Sequence, residues 1–398
     1  MPADLSSSIP SGLTALSHAD RLRPAETPHL LAYLATVTDP RTRAGRRHPL
    51  VAILVLAAAA VLAGARSIAA IAEWAADAPQ PVRAALGTRR DPLTGHWIWA
   101  VPSETTIRRT LARLDAEALA AAIGAWLADR DRPDRRRRAV AVDGKTLRGA
   151  KRGDGRQVHL LAAMDHTTRA VLAQRQVDGA PGEVPAFQPL LVDLDLAGVV
   201  VTADALQTHP DAAEFLVTGK QAHYLLSSRP TSPRCWTDAP AWPGIASPSW
   251  TAPATAATAA SSCAPFKAVT VHHFGFPHAA QVIQVTRKTR KLRARRWRTV
   301  TIYAITSLAF AQASPARLAD YLRGHWAIEN GLHYLRDTTF AEDGSQVRTG
   351  AGPHVMACLR NLAIGALCRA GPVNLAAALR HHARDPARPL ATLGIIPG

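Results

Sequence analysis

Ala139-Val-Ala-Val-Asp143-Gly-Lys145-Thr-Leu-Arg148-Gly-Ala150 is the stretch on which the reading of this chain turns. Four small or β-branched apolar residues, bounded by Arg138 and Gly144, predict a buried strand. Asp143 would be its last residue. A carboxylate at the mouth of a buried strand is costly without a metal ion, a positive partner or a helix N-terminus. Asp-Gly is also a common turn pair. From this stretch alone both readings stand: a turn cap, or a ligand.

Working outward, the period on the C-terminal side is that of strands. Val158–Met164 and Ala170–Val177 predict a hairpin around the turn Asp165-His-Thr-Thr-Arg169. Val184–Leu194 reads as a helix. Gly198-Val-Val-Val-Thr-Ala-Asp204 is again a buried strand ending in a carboxylate. Pro210–Thr218 reads as a helix and Ala222–Leu226 as a further strand. The order is three strands, helix, strand, helix, strand. If the first and fourth strands are neighbours, Asp143 and Asp204 meet at one edge of a mixed sheet. Asp165 is the rival acid, better explained by turn chemistry, and Glu183 falls near a helix start.

A third acid comes from the stretch Ser314–Asp337. Ser314 suits an N-cap with Pro315 at the first helical position. His325, Glu329, His333 and Arg336 share one face of a regular helix by the i, i+4 and i+7 rule. A carboxylate among three potential cations suits a metal ion beside phosphate; an exposed ion pair within the helix is the plainer reading. Glu342 and Asp343, in an expected loop after Phe340, are its rivals. Two strand-end aspartates and a helix glutamate form the carboxylate set of two-metal phosphoryl transfer. Magnesium prefers hard oxygen ligands and keeps several waters, so few protein ligands suffice.

The bulk composition narrows the partner. The chain has 398 residues, 47% of them hydrophobic, enough for two or three domains and too apolar for disorder. Its net charge of +17, mostly arginine, favours nucleic acid over a small acidic substrate. Cys235, Cys263, Cys358 and Cys368 form no Cys-x-x-Cys pair, which argues against a zinc knuckle or disulfide framework and fits a reducing cytoplasm. The first residues lack the pattern of a signal peptide. The apolar run Leu50–Ala65, 16 residues long, reads as a buried helix, being shorter than the roughly 18 to 20 of a membrane span. Pro102–Arg109 opens a well-capped helix with Arg108, Arg109 and Arg113 off its apolar face, suited to DNA contact or to solvent. Arg130–Arg138 reads as a basic linker.

The motifs AVDGKTLRGA (141–150), VVTADALQTH (200–209) and HWAIENGLHYLRDTTFAEDGSQVR (325–348) resemble those of bacterial DDE transposases of the H-repeat-associated (ISAs-type) insertion-sequence family. The resemblance runs from about residue 28 to 395. It implies an α/β fold: an RNase H-like mixed-sheet catalytic core with an inserted β-rich segment and an N-terminal helical domain. The implied division is a flexible 1–27, a transposase-associated helical domain 28–130, a linker 131–138, core segments 139–226 and 307–398, and an insertion 227–306. It implies that Asp143, Asp204 and Glu329 are catalytic and bind Mg2+, with Mn2+ as an alternative. The partners would be double-stranded DNA, as element terminal inverted repeats and target, and further copies of the chain, a homodimer or higher oligomer, with no membrane. Lys145, Arg148, His325, His333 and Arg336 would position phosphates. The chain departs from the family at Gln207, where histidine is commoner, and at Leu335-Arg336, where an apolar pair is commoner. Arg287, Lys288, Arg290, Lys291, Arg293, Arg295, Arg296 and Arg298 form the densest basic run, expected to join two strands and touch the DNA backbone.

Ser227–Pro265 fits none of these patterns. It is rich in Pro, Ala, Ser and Thr, with no period of 2 or 3.6. One reading is a flexible insertion. The other is translation out of frame over 39 residues between two compensating indels. With codons chosen to suit, the neighbouring frame gives Lys-Ala-Asn-Gln-Pro from Ser228–Pro233 and His-Gly-Arg-Val-Glu-Leu-Arg-Thr from Thr258–Pro265, motifs that family members carry there. That expectation sets a catalytically impaired DNA-binding remnant beside the active transposase.

Overall fold

A computed structural model describes residues 29–91, 97–130, 138–152, 155–177, 182–228, 250–251, 265–272, 274–289, 298–369 and 374–396. Most of the segment 227–265, including all of 229–249 and 252–264, therefore lies outside the described residues, as do 1–28 and 290–297.

A small antiparallel ribbon, β1 (Arg89–Asp91) and β2 (Ile98–Ala100), precedes the main sheet. The sheet comprises β3 (Ala139–Lys151), β4 (Gln157–Asp165), β5 (Val171–Val177), β6 (Val200–Ala203), β7 (His223–Ser228), β8 (Trp250–Thr251), β9 (Pro265–Thr270), β10 (Gln281–Thr289) and β11 (Arg298–Thr306). Their spatial order is β5-β4-β3-β6-β7-β11-β10-β9-β8. β6 runs parallel to both β3 and β7, and the other neighbours are antiparallel. The first and fourth strands of the core are adjacent, which meets the condition on which Asp143 and Asp204 share an edge. Val142 stands opposite Ala203, so the next residue on each strand, Asp143 and Asp204, leaves the parallel pair at the same edge. The run Val140-Ala-Val142 is fully buried because helices cover both faces of the parallel centre.

β3 does not end at Asp143. It continues through Gly144 to Lys151, with Gly144 opposite Leu161 and Lys145 opposite Leu160. The Asp-Gly pair is thus inside a long strand, not a turn.

Helices from both ends of the chain share one apolar core with the sheet. Leu50–Leu62 is buried along almost its whole length, and no helix among the described residues is long and apolar enough to cross a membrane. Ala116–Arg130 lies against β5 so closely that a Cβ on Gly124 would stand 2.0 Å from the Leu172 carbonyl oxygen. Gly352–Arg369 is the other central helix, and it buries Cys358 as a core thiol.

Pro315–Ile328 begins as its sequence predicts, with the Ser314 hydroxyl accepting from the Arg317 N–H. It does not continue as a regular helix. Glu329–His333 forms a wider π-helical turn, and Tyr334–Thr338 resumes the α-helix. The extra residue per turn rotates everything beyond it away from the face predicted by regular spacing. Arg336 is the residue this moves. It was expected to meet phosphate. Instead it is 1% exposed, and its Nε donates to Glu342 Oε2 at 2.8 Å. Arg360, from Gly352–Arg369, donates to Glu342 Oε1 at 2.8 Å and to the Arg66 carbonyl at 3.3 Å. Burial pushes the Glu342 carboxyl up, but the two guanidiniums outweigh it and hold it below the ordinary range. Glu342, the rival third acid, is a structural counter-ion.

The basic run 287–298 spans the join of two antiparallel strands, with Arg287 opposite Val300 and Thr289 opposite Arg298. Arg290, Lys291, Arg293, Arg295 and Arg296 lie outside the described residues. For Arg287, Lys288 and Arg298 the backbone position in the strands is what is described.

Candidate active site

Asp143 is mostly buried, and the Gly144 N–H donates to its Oδ1 at 2.9 Å. Its carboxyl is pushed up to about 7, first by burial and then by the charges of Glu329, Asp204 and Glu183. The Gly144 hydrogen bond opposes this and is outweighed. Asp204 closes β6 and caps a short 3-10 turn, accepting the Leu206 N–H at 2.9 Å. Glu329 opens the π-helical turn and is exposed. Two segments far apart in sequence thus bring their carboxylates within electrostatic reach of Asp143.

The candidate cations sit differently. Lys145 is almost buried and its Nζ donates to Asp337 Oδ2 at 2.7 Å. Arg148 is 77% exposed, with Asp343 3.6 Å away. His333 Nδ1 stands 3.5 Å from Asp143 Oδ2, while its buried Nε2 has no hydrogen-bond partner. Burial, then the charges of Arg336 and Lys145, drive the His333 imidazole well below its ordinary value, so its contact with Asp143 is that of a neutral ring. His325 lies beneath the acids, its Nδ1 3.1 Å from the Thr202 hydroxyl, which also meets His166 Nε2 at 2.9 Å. Burial lowers the pKa values of both imidazoles, His166 to about 4, while the Asp204 charge partly opposes this at His325. The rings are packed supports under β6. Gly324 permits the approach: a Cβ there would stand 2.2 Å from His166 Nδ1.

Asp165, the early rival acid, is turn chemistry. It accepts from Thr167 and Thr168 N–H at 2.9 and 3.0 Å and pairs with Arg138 at 2.8 Å. Glu183, expected only near a helix start, belongs to this cluster. It stands beside Gly144, with Oε1 2.7 Å from His159 Nε2 and Oε2 accepting from Gln207 Nε2 at 3.0 Å. A Cβ on Gly144 would meet Glu183 Oε1 at 2.0 Å and His159 Nε2 at 2.6 Å. Glycine within a strand marks a close approach of this kind, and that was the available signal.

Residues 134–365 match the family described as Transposase DDE domain, and residues 31–127 match the one described as DDE_Tnp_1-associated. The first match alone spans more than half of the chain. The chain belongs to the DDE-domain transposase family. Among relatives of this DDE-family chain, a putative transposase YncI of Escherichia coli is 24% identical over 375 residues, covering 85% of this chain and 87% of that protein. An H repeat-associated putative transposase, YhhI, also of Escherichia coli, is 23% identical over 359 residues, covering 86% and 91%. An uncharacterized protein in the dhlA 3' region of Xanthobacter autotrophicus is 34% identical over 184 residues, covering 46% of this chain and 59% of that protein. Among solved structures, a piggyBac transposase synaptic complex with hairpin DNA gives a TM-score of 0.41 at 10% identity, covering 96% of this chain and 81% of that chain.

DDE-family chemistry generally uses divalent metal ions. The residues of this family member suit a hydrated, hard cation. Among the described residues no three His, Cys, Asp or Glu side chains form a ready cage. Glu329, Asp204 and Glu183 nonetheless lie close enough to Asp143 to raise its carboxyl, and the nearby Lys145 is already paired with Asp337. Gln207 adds a buried Oε1 that lacks a donor. Oxygen donors with unmet demand for positive charge match a cation that retains its waters.

The raised Asp143 pKa has a measurable sign. Its folded value, about 7, lies above the ordinary 3.8, so the folded state holds the proton more tightly. That contribution is present below the ordinary value and is lost as pH rises toward 7. In EDTA, wild-type stability should therefore fall between pH 4.5 and 7 more steeply than that of Asp143→Asn, by on the order of 1 kcal/mol per pH unit. Urea midpoints at the two pH values check this; parallel slopes contradict it.

Proposed function

We propose that this DDE-family protein is a DNA transposase of an insertion sequence. Asp143, Asp204 and Glu329 would hold divalent cations, Mg2+ or Mn2+, for strand cleavage and strand transfer. The observation that carries the reading is the register of β3 and β6, which brings Asp143 and Asp204 out at one edge, where burial first and neighbouring charge second lift the Asp143 carboxyl. Its principal charged perturbers are the two other acids that the family resemblance names. The strand order β5-β4-β3-β6-β7, parallel only at β3-β6-β7, supports an RNase H-like core.

Bound divalent cations would supply charge neutralisation at the scissile phosphate and activation of the attacking oxygen. The chain's own part is positioning. Asp143 and Asp204 are fixed by backbone N–H donors at the edge of two parallel strands. Glu329 enters from the helix across that edge. Arg148, largely exposed, is free to swing to a phosphate, and Lys145 reaches one by exchanging Asp337 for it. His325 and His333 act by holding the floor of the site. Such reactions depend mainly on orientation and electrostatic stabilisation. The partners under this reading are double-stranded DNA, as the element's terminal inverted repeats and as target, and further copies of the chain on that DNA. A net charge of +17 suits the first.

The test is cleavage of DNA carrying the flanking inverted repeats. Purified protein should cut at the repeat ends with Mg2+ or Mn2+ and lose that cutting in EDTA, while gel-shift binding survives chelation. Equal cutting in EDTA contradicts the metal-dependent reading. Cutting without end preference would instead favour a general nuclease.

A further inference from the structure

Glu183, partly buried, differs from Glu342, the buried glutamate among the described residues. Glu342 is enclosed by two guanidiniums and 2% exposed. Glu183 meets an imidazole and an amide, with no lysine or arginine among its partners in the described residues. Each of its oxygens takes one donor, and a carboxylate oxygen accepts two. Each therefore retains acceptor capacity.

Its supports are themselves held. The second nitrogen of His159, Nδ1, lies 2.9 Å from the Thr146 hydroxyl. Gln207 is 1% exposed, so its amide is fixed, and its Oε1 is the acceptor without a donor. Gly182, at φ +89°, lets the chain turn so that Glu183 opens the helix Val184–Leu191 directly over Gly144. The absence of a side chain at Gly144 is what gives Glu183 its place. Thus β3, β4, the turn after β6 and the start of a helix all contribute to one carboxylate beside Asp143. A partly buried carboxylate next to other acids is unfavourable unless a cation is bound nearby.

We propose that Glu183, held by His159 and Gln207, is a fourth carboxylate of the site, and that with Gln207 Oε1 it accepts hydrogen bonds from the water shell of a divalent cation at Asp143. This rests on the metal-dependent reading above. Groups that hold a cation through its water or its ligands typically change metal affinity by about 10- to 100-fold when altered.

The test uses the full-length protein without DNA, with free Mn2+ measured by electron paramagnetic resonance during titration. Glu183→Gln keeps the shape and removes the charge. It should weaken Mn2+ binding by about tenfold, with the metal-free melting temperature no lower than that of wild type. Gln207→Leu, which removes the orphaned acceptor, should weaken it several-fold. Wild-type Mn2+ affinity in folded Glu183→Gln, or in folded Gln207→Leu should Glu183→Gln not fold, overturns the proposal. Asp204→Asn separates the two readings. If it loses Mn2+ and Glu183→Gln does not, the part assigned to Glu183 fails and the three-acid site stands. If Asp204→Asn binds Mn2+ as wild type does, the three-acid reading itself fails.

Discussion

Glu342→Gln should destabilise the protein by about 3–5 kcal/mol, because it leaves two guanidiniums buried without their shared counter-ion. Arg336 and Arg360 are each no more than 2% exposed, and each places a nitrogen 2.8 Å from a different Glu342 oxygen. Neither can reach water to replace what is lost. The cluster joins the helix Tyr334–Thr338, the turn at 342–344 and the helix Gly352–Arg369, and through Arg360 it reaches the Arg66 carbonyl. Arg336→Met should lower stability too, by removing a buried hydrogen-bonded charge. It should leave the salt dependence of DNA binding unchanged, since a phosphate contact contributes to that slope and a buried counter-ion does not. Urea denaturation reads the first effect, and binding at several salt concentrations reads the second. A shallower salt slope in Arg336→Met would restore Arg336 to the DNA surface.

The central strands were legible because they carry the plainest pattern. Val140-Ala-Val142 and Val199-Val-Val201 are short apolar runs without alternation, as expected of parallel strands covered on both faces. Their adjacency was a condition that the order of elements left open; the parallel pairing of β3 and β6 meets it and brings Asp143 and Asp204 to one edge. Other features were legible only in part, for local reasons. Asp-Gly carries turn chemistry, so the strand was expected to stop there. What fixes glycine at 144 is Glu183, 39 positions away in the chain. Arg336 was assigned to the face of Glu329 by a period of 3.6, which the wide turn at Glu329–His333 breaks. No local pattern distinguishes a helix that widens from one that does not. Glu183 reads as an ordinary residue before a helix, and its partners His159 and Gln207 come from two other elements. The basic run 287–298 was legible as charge between strands, and the strand pairing on either side agrees with it.

Asp143→Asn, Asp204→Asn and Glu329→Gln should each lower metal-dependent cleavage by at least about a thousandfold. Electrostatic stabilisation by one preorganised group is commonly worth about 100- to 1000-fold, and a lost metal ligand removes more than one such interaction. Each change keeps the shape of its side chain. Asp143→Asn also relieves repulsion, since its carboxyl is lifted to about 7 by burial and the neighbouring acids, so the protein should remain folded. DNA binding should persist, because the basic residues are untouched. Asp204→Asn is the most direct single measurement. Its carboxylate caps a turn through one oxygen, which an asparagine oxygen reproduces, so a loss of activity cannot be assigned to the fold. Cleavage of DNA carrying the terminal repeats should fall to background for Asp204→Asn in Mg2+ and in Mn2+, with gel-shift affinity as in wild type. Cleavage at the wild-type rate would contradict the three-acid site.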